Sequence, residues 1–393
     1  MKGNFPLEKF EEIQTPFYFY NTELLQDTIN AAKNTADKYN YHIHYAVKAN
    51  ANPRILSIIR RNGVGVDCVS GGEIQAALDA GFPADKIVFA GVGKADWEIN
   101  LGLDASIFCF NAESIPELKI INDLAKAKNK TASVALRINP DIDAHTHDHI
   151  TTGLKTNKFG INLNQLDKTL DILENLPALK LIGLHFHIGS QLTDLAPFRV
   201  LCSCVADIQR QLAKRGVVVE NINFGGGLGI NYNRPNSDPI PDFQNYFEIF
   251  HKYFPALPHQ QIHFEPGRSI VGQCGTLISK VLYVKEGYSD KFVILDAGFT
   301  ELIRPAFYKA YHKIENLSSK ESPETYDVVG PICESSDYFA TQINLNKTRR
   351  GDYIAIRSAG AYGEIMAMQY NCRQLPKAYF SDILADKNET IRH

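Results

Sequence analysis

The sequence predicts an α/β protein in which a closed (β/α)8 barrel is followed by a mostly β domain. Short β-branched and aromatic runs recur eight times before Gly267, and most are separated by stretches with apolar residues at helical spacing. After Gly267 the texture changes, and strand-like runs follow one another through short or polar connections without long helices.

In chain order, barrel strands are expected at residues 43–48, 65–69, 87–90, 106–110, 133–139, 181–187, 221–224 and 261–265. Helices are expected between them at 52–61, 73–80, 112–126, 166–176 and 198–215. Eight strands separated mostly by helices favour closure over an open sheet. The β domain is expected to hold strands at 277–284, 291–296, 326–329 and 352–357, with the polar stretch 315–325 as an exposed loop around Pro323. The run 17–20 is strand-like and precedes the barrel. Joined to the β domain it gives an expected division into a barrel of residues 22–267 and a β domain of 1–21 with 268–393.

Composition narrows the function classes. At 44% apolar residues the chain has material for a sizeable core, and 41 Lys plus Arg against 44 Asp plus Glu leave a net charge of -3. That balance gives no electrostatic reason to expect nucleic acid or an anionic membrane as partner. No apolar run reaches the length of a membrane span, and the first ten residues lack the apolar stretch of a signal peptide. Seven cysteines without regular spacing suit reduced thiols, so a cytoplasmic location is expected.

Barrel enzymes work at the C-terminal ends of their strands. The first strand is expected to end on Lys48, whose amine would point into the barrel mouth, where desolvation favours an imine with an aldehyde. The sixth runs into His185-Phe186-His187-Ile188-Gly189-Ser190, where alternation puts both histidines on one face and offers an imidazole to a flat ring. The seventh meets Gly225, Gly226 and Gly227, followed by Leu228-Gly229, a loop whose backbone N–H groups can approach a phosphate. The eighth ends in Glu265-Pro266-Gly267-Arg268: a carboxylate suited to a protonated pyridine nitrogen and a guanidinium suited to a phosphate or carboxylate.

Taken singly, each has a plain structural reading: a lysine reaching for solvent, a satisfied core histidine, a tight glycine turn, a surface Glu–Arg pair. Together they put an amine, a stacking ring, a phosphate loop and a carboxylate on four strand ends of one barrel, the set that pyridoxal phosphate requires. Ser70-Gly71-Gly72-Glu73 reads as a helix capping box. His145, His147 and His149 alternate in a polar loop but lack a carboxylate or cysteine framework, and Cys202 and Cys204 lack a second pair, so no metal site is expected.

Over nearly the whole chain the sequence resembles the group IV decarboxylases of the alanine-racemase-like fold, most nearly the members acting on diaminopimelate. The likeness is carried by Ala46-Val47-Lys48-Ala49-Asn50, the Asp67 to Glu73 segment, Thr152-Gly153, Lys158-Phe159-Gly160, the His185 to Gln191 segment, the 225–229 loop and Glu265-Pro266-Gly267-Arg268. Beyond the barrel it covers Arg304-Pro305-Ala306-Phe307-Tyr308, Gly330-Pro331-Ile332-Cys333-Glu334-Ser335-Ser336-Asp337, Gly360-Ala361-Tyr362-Gly363 and Tyr370-Asn371-Cys372-Arg373. It departs from the family pattern at Val92 and at Phe299-Thr300-Glu301.

The resemblance implies that Lys48 carries the cofactor covalently, His187 stacks on its ring and Glu265 meets its pyridine nitrogen. It places Ser190, the Gly225, Gly226 and Gly227 backbone, Gly267 and Arg268 around the phosphate, with Tyr362 also touching the cofactor. It further implies a homodimer with shared active sites, completed by the Cys333–Glu334 segment, with Cys333 the leading proton donor and Lys48 second.

The substrate is argued from charge. Diaminopimelate brings a distal carboxylate as well as an ammonium; Arg268, Arg304 and Tyr308 suit the carboxylate and Glu334 the ammonium. Tyr362 is assigned to the substrate as well as to the cofactor. The expected reaction is decarboxylation of meso-diaminopimelate to L-lysine, the last step of lysine synthesis. The alternatives are a decarboxylase of carboxynorspermidine, ornithine or arginine, a racemase, or a non-catalytic pyridoxal-phosphate-binding protein.

Overall fold

The computed structural model describes residues 5–142 and 158–385. The chain forms two compact units. One comprises Ile29–Gly229 and Asp242–Gly267, and the other the segments up to Thr28, Ile230–Pro241 and Arg268 onward. The segments 22–28 and 230–241, expected with the barrel, thus group with the β unit.

The first unit is the expected barrel. Its strands are β1 (Tyr41–Ala46), β2 (Gly65–Cys68), β3 (Ile87–Phe89), β4 (Cys109–Ala112), β5 (Ala132–Asn139), β6 (Leu179–His185), β7 (Asn221–Asn223) and β8 (Gln261–Phe264). Each pairs in parallel with the next. The β8–β1 pairing, with Ile262 opposite Tyr41, closes the ring. A closed parallel sheet leaves no edge and collects all strand C-termini at one end.

The helices start where short polar side chains satisfy their first N–H groups. Asn52 caps Pro53–Arg61, Ser70 caps Gly71–Asp79 and Ser114 caps Ile115–Ala127, each side chain accepting from a backbone N–H in the first turn. At Ser70 the expected capping box forms only in part: Glu73 N–H donates to Ser70 Oγ at 3.2 Å, but Glu73 Oε2 accepts at 2.7 Å from the N–H of Val69, one residue before the cap. The helix Phe243–Tyr253, unanticipated in the sequence, buries Phe243, Tyr246, Phe247 and Phe250. Phe250 lies 4.6 Å from Phe224 and 4.7 Å from Phe264 by ring centroids, so an aromatic layer backs β7 and β8 close to where their functional loops begin.

Most strand boundaries shift by one to three residues, and three of the shifts bear on the site or its neighbours. Strand β4 begins at Cys109, not Ser106, because the helix Asp96–Ala105 ends with Ser106 in a left-handed cap at φ 57°. Strand β1 ends at Ala46, and Lys48 lies in a single 3-10 turn, Val47–Ala49. Strand β6 stops at His185, so His187 lies past the sheet.

The second unit is a β-sheet in the order Ile314–Asn316, Tyr353–Ile356, Gly275–Glu286, Lys291–Leu295, Pro323–Val329, Tyr338–Asn346. Phe17–Tyr20 joins it antiparallel to Gly275–Glu286 and parallel to Lys377–Phe380, bringing the early strand beside a late one. Phe10, Phe17, Phe19, Ile278, Tyr353 and Ala355 form its buried cluster. The stretch 315–325 is only partly a loop: Ile314–Asn316 pairs with Tyr353–Ile356, and Pro323 opens a strand, a position where its missing N–H is tolerated. Tyr338–Asn346, the partner of that strand, was not anticipated. No helix among the described residues is long and apolar enough to cross a membrane.

Candidate active site

At the C-terminal end of the barrel the strand ends converge on one polar cluster. Lys48, on its short turn after β1, places Nζ 3.0 Å from Asp67 Oδ2 on β2. Asp67 is fully buried, whereas the Lys48 side chain is 39% exposed, so the amine is within reach of an incoming ligand. Burial, reinforced by the charge of Glu265, pushes the Asp67 carboxyl up to about 6, with Lys48 pulling the other way. Its second oxygen, Oδ1, is buried without a hydrogen-bond partner among the described residues.

Glu265 follows β8 and is 6% exposed. Its Oε1 accepts from Asn223 Nδ2 at 2.7 Å and from Asn111 Nδ2 at 3.4 Å, and its Oε2 faces His185 Nε2 at 2.9 Å. Burial would raise this carboxyl. The charge and hydrogen bond of His185, with Lys48 and His187, outweigh burial and hold it well below the usual carboxylate range. Glu265 is therefore an ionised, acceptor-only group in a dry place.

His187 is fixed by the glycine loop, its Nδ1 accepting from Gly226 N–H at 3.3 Å. Burial, then the positive charges of Arg137 and Lys48, lowers its pKa well below the ordinary histidine value, so it presents a neutral flat ring. Arg137 is held by Glu113 at 2.8 Å in a buried ion pair, and Glu113 also accepts from Gly91 N–H and Gly160 N–H.

The loop after β7 needs its glycines. Gly225 has φ 70° and Gly227 φ 116°, backbone that side chains rarely adopt. A Cβ on Gly226 would lie 2.2 Å from the Glu265 carbonyl oxygen. Gly267 packs where a Cβ would lie 3.0 Å from that of Ala46. Ser190 is half-buried beside this region of the sequence, four residues before the helix-leading Asp194.

The β unit holds a second cluster. Arg268 Nη1 donates to Tyr232 Oη at 2.6 Å, and Arg304 Nη2 reaches the same oxygen at 3.4 Å. Arg268 lies over the Tyr362 ring at 4.8 Å, and Arg304 lies 5.7 Å from Tyr308 and 5.9 Å from Tyr362. Arg304 Nε contacts His312 Nε2 at 3.3 Å, and His312 Nδ1 is 2.9 Å from the Arg357 carbonyl. Both guanidinium groups are buried, and among the described residues no carboxylate pairs with Arg304. Burial, together with the charge of Arg268, lowers the Arg304 pKa. Two buried cations sharing one phenol form a receptor for an anion.

Cys333 and Glu334 are exposed in this unit. Cys333 N–H donates to Asn371 Oδ1 at 3.2 Å and Glu334 Oε1 accepts from Tyr370 Oη at 2.7 Å. The alternating His145, His147 and His149 lie outside the described residues.

The structure thus brings together Lys48, His187, Glu265 and the 225–227 loop in the barrel, and Arg268, Arg304, Tyr308 and Tyr362 in the β unit. Sequence reasoning missed Asp67 as the amine's partner, and Asn111, Asn223 and Tyr232. Asn223 had a readable signal: it sits two residues before Gly225 at a strand end, in phase with the loop. Tyr232 had none, being placed by tertiary packing alone.

The barrel cluster fits pyridoxal phosphate. It offers an accessible amine, a buried carboxylate kept ionised, a neutral imidazole plane and a glycine loop that side chains would obstruct, while Asp67 Oδ1 has an unmet acceptor.

Comparison with known proteins agrees. The family described as "Pyridoxal-dependent decarboxylase, pyridoxal binding domain" matches residues 23–272. The chain is 62% identical over 385 residues to a diaminopimelate decarboxylase of Bacteroides thetaiotaomicron, covering 98% of this chain and 100% of the relative. The crystal structure of diaminopimelate decarboxylase from Helicobacter pylori complexed with L-lysine superposes with a TM-score of 0.89 at 39% identity, covering 95% of this chain and 93% of that one. That from Methanocaldococcus jannaschii in complex with L-lysine gives 0.88 at 37% identity, covering 97% and 90%. A model match over well over half of the chain, and relatives this similar over their full length, place it: the chain belongs to the pyridoxal-dependent decarboxylases.

Proposed function

We propose that the chain is a pyridoxal-phosphate enzyme that decarboxylates meso-diaminopimelate to L-lysine and CO2. The observation that carries this reading is 62% identity along the whole chain to a diaminopimelate decarboxylase, joined to a barrel site that fits the cofactor. When bound, pyridoxal phosphate supplies a cationic ring that accepts the electron pair left on the α-carbon as CO2 departs.

The chain's own residues do the rest. Lys48 would hold the cofactor through its aldehyde carbon, and its amine, on a side chain 39% exposed beside Asp67, is the group a substrate amine would replace. Glu265, ionised and fixed on both oxygens, receives the hydrogen bond of the ring nitrogen and keeps that nitrogen protonated. His187 would stack on the ring as a neutral imidazole, adding no opposing charge. The N–H groups of Gly225, Gly226 and Gly227, with Ser190, Gly267 and Arg268, receive the phosphate.

Arg304, with Arg268 and Tyr308, is assigned to the distal carboxylate and Glu334 to the distal ammonium, and Tyr362 serves cofactor and substrate. Decarboxylases of ornithine or arginine meet no distal carboxylate, so a buried arginine that has no carboxylate partner among the described residues favours diaminopimelate over them. Cys333 is the proposed donor to the α-carbon, with Lys48 second. We also assign the chain a homodimeric state and a cytoplasmic location.

Three experiments test this. Purified protein assayed with meso-diaminopimelate, ornithine, arginine and carboxynorspermidine should release CO2 and lysine from the first; no lysine would reject the substrate assignment. Borohydride reduction followed by peptide mapping should find the label on Lys48, and a label elsewhere would reject the cofactor assignment. Sedimentation of the purified protein reads the dimer directly.

A further inference from the structure

His185 is buried at the end of β6, yet the reaction as derived gives it no task. Its surroundings define one. Asn223 Oδ1 accepts from Gly225 N–H at 2.9 Å, which fixes the amide so that its Nδ2 donates to Glu265 Oε1 at 2.7 Å. Asn111 Nδ2 approaches the same oxygen. Oε1 is thus taken by two donors, and the other oxygen, Oε2, faces His185 Nε2 at 2.9 Å. An ionised carboxylate only accepts, so Nε2 must carry the hydrogen. The other ring nitrogen, Nδ1, is buried with no partner among the described residues. His185 spends its single hydrogen bond on Glu265.

We infer that His185 is a positioning residue: through its Nε2–H it keeps the buried Glu265 carboxylate ionised, so that this carboxylate is fit to hold a proton on a pyridine nitrogen. The inference rests on the reading that the barrel binds pyridoxal phosphate. It differs from a packing role because it concerns the charge of another residue. Burial opposes that charge, and the groups acting on it besides His185 are Lys48, which favours it, Asp67, which opposes it, and His187, which would favour it only when protonated. His44, His263, Cys109 and Tyr246 also lie within its field. Without the Nε2–H the balance shifts toward a neutral carboxyl, which can no longer enforce a protonated ring.

The test uses His185→Leu, which removes the donor, and His185→Gln, which restores an N–H at similar reach. Infrared difference spectra of the cofactor-free protein at neutral pH, referenced to Glu265→Gln, read the state of Glu265 directly. The expected result is an ionised Glu265 in the wild type and in His185→Gln. His185→Leu should show a protonated-carboxyl band that the double variant with Glu265→Gln lacks. In the loaded enzyme, His185→Leu should lower kcat by roughly 10- to 100-fold with KM little changed, and His185→Gln should recover most of it. An ionised Glu265 in His185→Leu, or a His185→Gln variant as impaired as His185→Leu, overturns the inference. A wild-type protein that releases no CO2 would reject the proposed reaction, while the infrared result would still decide the role of His185.

Discussion

Gly226→Ala is the sharpest test of the loop that is proposed to receive the phosphate. A Cβ there would sit 2.2 Å from the Glu265 carbonyl oxygen and 3.0 Å from its carbon, and both are backbone atoms. Neither can rotate away, so the loop or the Glu265 peptide must move by about 1 Å, given carbon contacts of about 3.5 Å. Both neighbours matter: Glu265 N–H donates to the Gly225 carbonyl at 2.8 Å, and Gly226 N–H donates to His187. Overpacking of this kind costs about 1–3 kcal/mol. If that cost falls on the bound state, pyridoxal-phosphate affinity drops about 5- to 150-fold, at 1.4 kcal/mol per decade. Titrating apo-protein with the cofactor, followed by absorbance, measures this. Gly93→Ala is the control, because a Cβ there meets nothing within 4 Å, and it should bind like the wild type. A Gly226→Ala protein that binds within twofold of the wild type would refute the reasoning.

Other perturbations read other parts of the molecule. Glu113→Ala leaves Arg137 buried without its carboxylate and strips the Gly91 and Gly160 N–H groups of their acceptor, so it should cost about 3–5 kcal/mol in urea unfolding; a loss below 1 kcal/mol would mean the pair is not buried as described. Burial raises the Glu73 carboxyl to about 7, against a backbone hydrogen bond from Val69 that lowers it. The folded state then keeps a proton that the unfolded chain releases above about pH 4.5, so stability falls as pH rises from about 4.5 to 7, by at most about 3 kcal/mol. Glu73→Gln should flatten that slope in thermal melts across this range, and an unchanged slope would count against a buried, proton-holding Glu73. Arg304→Met should raise KM for meso-diaminopimelate about 10- to 100-fold with a smaller effect on kcat, since a buried charge-assisted contact is lost. A fall in kcat with KM unchanged would instead place the Arg304 contact in the transition state alone.

Much of the fold was readable because barrel strands and helices announce themselves locally. Alternating β-branched runs and helical spacing located all eight barrel strands to within a few residues, and Ser70 marked a helix start that the structure reproduces, with Glu73 reaching back one residue further, to Val69. The errors fall where a local pattern is ambiguous. Ser106 extends a β-like run, but a left-handed helix cap claims it. Phe243–Tyr253 reads as an aromatic run, and only its packing on Phe224 and Phe264 makes it a helix with a buried face.

The candidate site divides in the same way. Lys48, His187, Glu265 and the glycine loop were identifiable because each sits at a strand end, and a parallel barrel gathers strand ends at one mouth. What those groups do electrostatically was not readable. The pairing of Lys48 with Asp67, the two amides and the imidazole on Glu265, and the phenol shared by Arg268 and Arg304 join residues tens of positions apart. The sequence by itself determined which chemical groups the chain owns and on which strand ends they stand. Tertiary structure alone decided their charge states and partners, because desolvation and hydrogen bonding depend on what lies within a few ångströms in space, and adjacency along the chain does not specify that.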